Sequence, residues 1–403
     1  MPAAASRTGT PPPGELDLDR VRRDTPGAAD QVFLDSAGSS LPPSPVLETV
    51  IAHLRREARV GGYRAANERA ADLTAIPETI GKLINAPADA IALSDSASRA
   101  WTDFGYAVPL TAGDRLLFST SEYASNAIAL LHRAKSSGAS VEPIPADATG
   151  RIDLDALNRM LDERVRLISV VHAPTNGGLI NPVREVADLA HQVGALVLLD
   201  ACQTTGQLPL DVAALDVDAL SATGRKWLRG PRGTGFLYVR PELIAELEPA
   251  GLDLHSATWT DDADYTLAAG ARRFEFWECD VAARLGLGVA VQYLLDLGPD
   301  LVYRAIAALA ARLRAGLAEL PRVQLRDLGV EQSGIVSFTV TGVDPDQVRD
   351  RLRDAQITVT VSRASSTRLD MRRRGLPAVV RASPHCFVTS DDVDRFCRTV
   401  ARM

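Results

Sequence analysis

From about residue 90 to residue 240 the chain alternates short apolar runs with helix-length amphipathic segments, and the apolar runs end abruptly on polar residues. Val-Arg-Leu-Ile-Ser-Val-Val at 165–171 meets His172, and Leu-Val-Leu-Leu at 196–199 meets Asp200. A strand that is apolar on both faces has to be covered on both sides, and helices between successive strands supply that cover. The pattern predicts strands at residues 90–93, 114–119, 165–171, 196–199, 219–221 and 235–239. Helices are expected at 99–108, 125–137 and 182–193. This is an α/β fold around a parallel or mostly parallel sheet. At 403 residues the chain is long enough for more than one domain. Two long helical segments, 282–297 and 301–320, precede a second region. There, strands near 335–340, 357–361 and 379–382 alternate with helices near 345–355 and 390–401, the pattern of a small α/β domain. Before the first strand we expect a Pro-rich disordered tail at residues 1–14, a helix at 45–60, a break at Gly61-Gly62 and a helix at 67–85.

Several function classes are disfavoured. A net charge of −7 leaves no basic footprint for nucleic acid. No apolar run approaches bilayer length, and the N-terminus lacks the order of a secretory signal, so a cytoplasmic location away from membranes is expected. Cys202, Cys279, Cys386 and Cys397 match no disulfide or metal spacing, and with six scattered histidines no dedicated metal site is expected.

Lysine is scarce. Of 44 basic residues only Lys82, Lys135 and Lys226 are lysine. An amine that must lose its proton and attack a carbonyl cannot be replaced by guanidinium. Lys82 and Lys135 sit in polar, helix-like surroundings and read as surface cations. Lys226 lies in Ser-Ala-Thr-Gly-Arg-Lys226 before a Gly-rich turn, the setting of a lysine that anchors pyridoxal 5'-phosphate (PLP) covalently.

Open α/β sheets bind ligands beyond the C-terminal ends of their strands, and four polar clusters fall at such ends. Ser94-Asp-Ser-Ala-Ser98 is either a phosphate cradle at a helix N-terminus or a plain cap. Asp200 is a carboxylate placed where burial demands a partner, which a pyridinium N–H would be. Gln203, one turn on, could reach a phenolic oxygen. His172 to Gly178 and Thr223-Gly-Arg225-Lys226 are the remaining two.

With these segments in order, the sequence resembles the fold-type I PLP enzymes of aminotransferase class V, the group of cysteine desulfurases, selenocysteine lyases and related C–S lyases. The resemblance covers residues 31–402 and includes Leu34-Asp-Ser-Ala-Gly38, Glu122-Tyr-Ala-Ser125, Asp200-Ala-Cys-Gln203, Gly230-Pro-Arg-Gly-Thr-Gly235, Arg273-Phe-Glu275 and Val380-Arg-Ala-Ser-Pro-His385. It implies a seven-stranded, mostly parallel sheet in a large domain at 31–300, whose N-terminal segment joins a small domain at 301–403, with residues 1–30 a disordered tail or arm. It also implies a homodimer with shared active sites and an amino-acid substrate. By position, Lys226 would carry the cofactor, and Asp200 would face its ring nitrogen. Gln203 and Thr175 would bond the phenolic oxygen and Tyr123 would stack on the ring. Ser96, Ala97, Ser98, Thr223 and Arg225 would hold the phosphate. Arg381 would clamp the substrate carboxylate, aided by Ala37 and Gly38, and Tyr63 would line the substrate pocket.

Two departures bear on the reaction. Desulfurases carry a nucleophilic cysteine shortly before the carboxylate arginine, whereas residues 361–368 here read Val-Ser-Arg-Ala-Ser-Ser-Thr-Arg. Their Gly-Thr pair after Arg-Phe-Glu, which reaches the partner subunit's phosphate, is replaced by Phe276-Trp-Glu278. The expected activity is therefore β-elimination from a cysteine S-conjugate or its sulfoxide, with no enzyme persulfide. That is similar to the C–S lyases of small-thiol pathways, including the one that releases ergothioneine. It is also similar to enzymes of lincosamide antibiotic pathways, some of which decarboxylate and oxidatively deaminate instead. An aminotransferase, an epimerase and a non-catalytic PLP-binding protein are the other readings.

Overall fold

The computed structural model describes residues 14–403, so all but the last residue of the expected tail lies outside the described part. Seven strands form one sheet in the order Ile91–Ser94, Gly235–Val239, Ala219–Thr223, Leu196–Asp200, Val165–Val171, Arg115–Ser119, Ser140–Ile144. Gly235–Val239 runs antiparallel to both its neighbours, and the other pairings are parallel. The reversal follows from the connection. Residues 224–234 connect the two strands without a helix, whereas a parallel return needs a longer crossover, usually helical.

The sheet divides two cores. Val170, Val197 and Leu199 pack on one side, while Leu167 and Leu198 pack on the other. Successive side chains along a strand point to opposite faces, so an unbroken apolar run feeds both layers. The first core continues into the C-terminal region through Ile335, Phe338, Val380 and Phe396. There an antiparallel sheet has the order Val323–Leu325, Val336–Val340, Ala378–Ala382, Thr360–Arg363, backed by helices Pro345–Asp354 and Ser390–Val400. The N-terminal segment joins this region: Val32–Phe33 pairs with Ile357–Thr358, and Asp35 bridges to Ser383.

The single strand expected at 357–361 is two. Ile357–Thr358 serves the N-terminal segment and Thr360–Arg363 serves the antiparallel sheet, with the switch at Val359. The helix expected at 67–85 begins at Ala70, and a separate short helix precedes it. Gly61 alone makes the break, with φ +86°, after which Gly62–Glu68 and Ala70–Ile84 are helical. Sequence reading overlooked Ser140–Ile144, an edge strand whose Pro143 disguises it, and the hairpin Ala257–Asp261 with Asp264–Leu267, which is exposed and lacks an apolar signature. Among the described residues no single helix is long and apolar enough to cross a membrane.

Candidate active site

Strand register brings four chain segments to one end of the sheet. Gly235 opposes both Ser94 and Thr223, while Asp200 opposes Val171 and Ser221. Ser94, Asp200 and Thr223 are therefore delivered to one end of the sheet, with Gly235 between Ser94 and Thr223.

Asp200 is 6% exposed. Its Oδ1 accepts from the Cys202 amide at 2.9 Å and its Oδ2 from Asn126 Nδ2 at 2.9 Å. Both donors are neutral, and among the described residues no cation pairs with it. The same Asn126 amide donates to Glu122 Oε1 at 2.9 Å. Glu122 also accepts from the Tyr123 amide at 3.0 Å and from Ser169 Oγ at 2.9 Å. Burial, reinforced by the charge of Asp200, pushes the Glu122 carboxyl up to about 8.

Ser96 caps the helix Ala97–Ala107 by accepting from the Arg99 amide at 3.2 Å. The first-turn amides of Ala97 and Ser98 have no intrahelical acceptor, as at any helix start. Gly235 lies against this turn: a Cβ there would sit 2.9 Å from the Ser96 carbonyl carbon and 2.6 Å from the Ala222 carbonyl oxygen. Only glycine lets the strand and the turn approach this closely. Thr223 is buried beside them, its hydroxyl donating to Thr234 O at 3.3 Å.

Lys226 follows the strand Ala219–Thr223. Burial pushes its amine below the usual lysine range, with Asp200 opposing and Arg225 and Arg381 assisting. Next to it, Trp227 Nε1 donates to Gln203 Oε1 at 3.0 Å, and Gln203 Nε2 donates to Ala37 O at 3.0 Å and Thr175 Oγ1 at 3.3 Å. Arg381 Nη1 donates to Thr175 Oγ1 at 2.6 Å, and its Nη2 to Asp35 Oδ1 at 2.9 Å. The Arg381 Nε is buried without a partner. Arg225 donates to the Gly38 carbonyl, which commits part of its guanidinium to the turn that also carries Ala37. A Cβ on Gly38 would displace the Asp35 carboxylate that bonds Arg381.

The structure thus joins Lys226, Asp200, Gln203, Thr175, Arg225, Arg381, Ala37 and Gly38 in one bonded and electrostatic neighbourhood, with Ser96, Ala97 and Thr223 beside Gly235. Tyr123 is partly exposed, and its amide rests on Glu122. Tyr63 is 78% exposed on the helix Gly62–Glu68, so within one chain it stands apart from this cluster. Sequence reading assigned no role to Asn126, Ser169 or Asp35. The serine inside the apolar run 165–171 was the available signal for Ser169. His172 bonds Thr204 Oγ1 at 3.1 Å, and burial pushes it down to about 4. Among the described residues no group of three or more His, Cys, Asp or Glu could hold a metal ion.

These features fit PLP. A buried carboxylate with neutral donors suits a pyridinium N–H. An amide-rich turn held open by Gly235 suits a phosphate, and a lysine held towards its neutral form suits a carbonyl.

The aminotransferase class-V family model matches residues 32–396. A probable cysteine desulfurase of Synechocystis is 30% identical over 382 residues, spanning 92% of this chain and 90% of that protein. The cysteine desulfurase of Thermococcus onnurineus superposes with a TM-score of 0.89 at 24% identity, covering 96% of this chain and 98% of that one. The cystine C–S lyase C-DES, solved with its product cysteine persulfide, gives 0.83 at 24% identity, covering 94% and 99%. The chain therefore belongs to the aminotransferase class-V family, and it is a cysteine desulfurase-like, PLP-dependent enzyme of fold type I.

Proposed function

We propose that this enzyme is a C–S lyase that acts by β-elimination on a cysteine S-conjugate or its sulfoxide, without forming a persulfide on its own cysteine. The observation that carries this reading is the absence of a thiol where a desulfurase needs one. Residues 361–368 place Ser365 and Ser366 in the turn Ala364–Ser366. The remaining thiols are poor substitutes. Burial pushes Cys202 far up and Cys386 to about 11, and it raises Cys279 and Cys397 as well. A leaving group already carried by the substrate removes the need for an enzyme nucleophile.

Bound PLP supplies an electron sink for the substrate's α-carbon. Asp200 would face the ring nitrogen, and the Ser96–Ser98 turn with Thr223 and Arg225 would hold the phosphate. Gln203 and Thr175 would bond the phenolic oxygen, and Tyr123 would offer a ring to stack on. Arg381, beside Ala37 and Gly38, holds the substrate carboxylate. The Lys226 amine, kept towards its neutral form by burial, takes the α-proton. The Cβ–S bond then breaks, the sulfur leaves with the electron pair, and hydrolysis ends at pyruvate and ammonia. The C–S lyase activity printed for C-DES supports the reaction class.

In the same reading the chain divides near residue 300 into a large PLP-binding domain and a small C-terminal domain, and it acts in the cytoplasm in a specialised small-molecule pathway such as antibiotic biosynthesis. It works as a homodimer. Exposed Leu47, Leu54, Tyr63, Trp259, Tyr265 and Trp277 offer apolar surface for a second copy. The test is a product screen with cysteine S-conjugates. Pyruvate and ammonia with no acceptor support elimination. A requirement for a keto-acid acceptor would instead indicate an aminotransferase, and carbon dioxide with oxygen uptake a decarboxylating oxidative deaminase.

A further inference from the structure

Beneath the ring site lie two carboxylates joined by one amide. Asn126 Nδ2 donates to Asp200 Oδ2 and to Glu122 Oε1, each at 2.9 Å. Asp200, Glu122 and Asn126 are all buried, at 6%, 3% and 3% exposure. Two carboxylates this close in a dry pocket do not readily ionise together. Their surroundings differ. Asp200 sits at the strand end where the cofactor ring is expected, whereas Glu122 is enclosed by the Tyr123 amide, Asn126 and Ser169, and among the described residues no cation bonds it.

We propose that Glu122, acting through Asn126, is a positioning residue that orients the Asp200 carboxylate and sets the charge beneath the cofactor ring. With Glu122 neutral, it adds no charge beneath the ring, and Asn126 tethers Asp200 through its Oδ2. When Glu122 ionises, a second charge appears one amide away and the site at the ring nitrogen becomes more negative. Burial and the Asp200 charge place this transition at about 8. The other ionisable groups of the site are Tyr123, His172, Cys202, Arg225, Lys226 and Arg381. They are unchanged in a Glu122 variant, so a difference between variant and wild type isolates Glu122.

This inference rests on Asp200 facing the ring nitrogen, and the experiment separates the two. In the apo protein, a carboxyl whose folded pKa lies above its unfolded value contributes stability at low pH. That stability is lost as pH rises from the ordinary glutamate value of 4.5 to about 8. The unfolding midpoint of Glu122→Gln should therefore gain on wild type steadily across this window and level off above it. In the PLP-loaded protein, the absorbance change with pH should shrink in Glu122→Gln, while PLP affinity at pH 7 stays within about threefold of wild type. Ser169→Ala removes a hydrogen bond that favours ionised Glu122, so it should move the absorbance transition to higher pH. It supplies the readout if Glu122→Gln folds poorly. A midpoint difference that is flat with pH, or absorbance profiles that coincide in wild type and variants, would overturn the role of Glu122. Asp200→Ala tests the premise separately. PLP binding weakened by about tenfold or more supports it, and unchanged binding overturns the placement of Asp200 itself.

Discussion

The Arg381–Asp35 pair invites a double-mutant cycle in the apo protein. Arg381 and Asp35 side chains are 6% and 21% exposed, and Nη2 lies 2.9 Å from Oδ1. At an effective dielectric near 20, unit charges about 4 Å apart attract by roughly 4 kcal/mol. Burial nonetheless raises the Asp35 pKa, because desolvation outweighs the arginine's pull. Arg381→Met leaves a buried carboxylate uncompensated, which typically costs about 3 kcal/mol. Asp35→Asn keeps a polar group against Nη2, and Thr175 still accepts from Nη1, so its cost should be nearer 1–2 kcal/mol. The double variant should lose less than the sum by about 1.5 kcal/mol or more. At roughly 2.1 cal/mol/K per residue, a 403-residue chain unfolding as one unit would lower its midpoint by about 4 °C for 3 kcal/mol. Urea and thermal unfolding of the four proteins measure the cycle. Single effects that add within about 0.5 kcal/mol would refute the coupling and, with it, the idea that Asp35 holds Arg381 before substrate arrives.

Three further outcomes are expected. Lys226→Ala should abolish the visible band of covalently anchored PLP in the absorbance spectrum, with the fold intact by circular dichroism. Gly235→Ala puts a Cβ within 3 Å of the backbone of Ser96 and Ala222, so it should cost about 1–3 kcal/mol in stability. The same variant should weaken PLP binding at least tenfold in a spectroscopic titration, about 1.4 kcal/mol. His172 and His385 are pushed by burial to about 4 and about 3. Their folded pKa values lie below the unfolded value, so stability is present above pH 6.5 and falls as pH drops, by at most about 1.4 kcal/mol per pH unit for each. His385→Gln should flatten that acid limb in a pH series of melts.

Much of the site was legible in the chain because its signals are local. A strand that ends on Asp200, a lysine in an arginine-rich chain and a serine-rich helix start are each visible within a few residues. The antiparallel return of Gly235–Val239 and the split at Val359 were less legible, since both depend on which distant strand is paired. Tyr63, expected in the substrate pocket, is 78% exposed on its helix, so one chain alone does not test that expectation.

Sequence alone carried the layered α/β architecture, the family and the end of the sheet at which polar strand termini gather. Side-chain periodicity and polar strand ends depend only on near neighbours. Only the tertiary structure decided that Arg381 meets Asp35 across 346 residues, that Asn126 ties Glu122 to Asp200, and that Gln203 is held at both ends. No local pattern encodes a hydrogen bond between segments so far apart. The charge state of a carboxyl or amine likewise follows from burial, which exists only once those segments have packed.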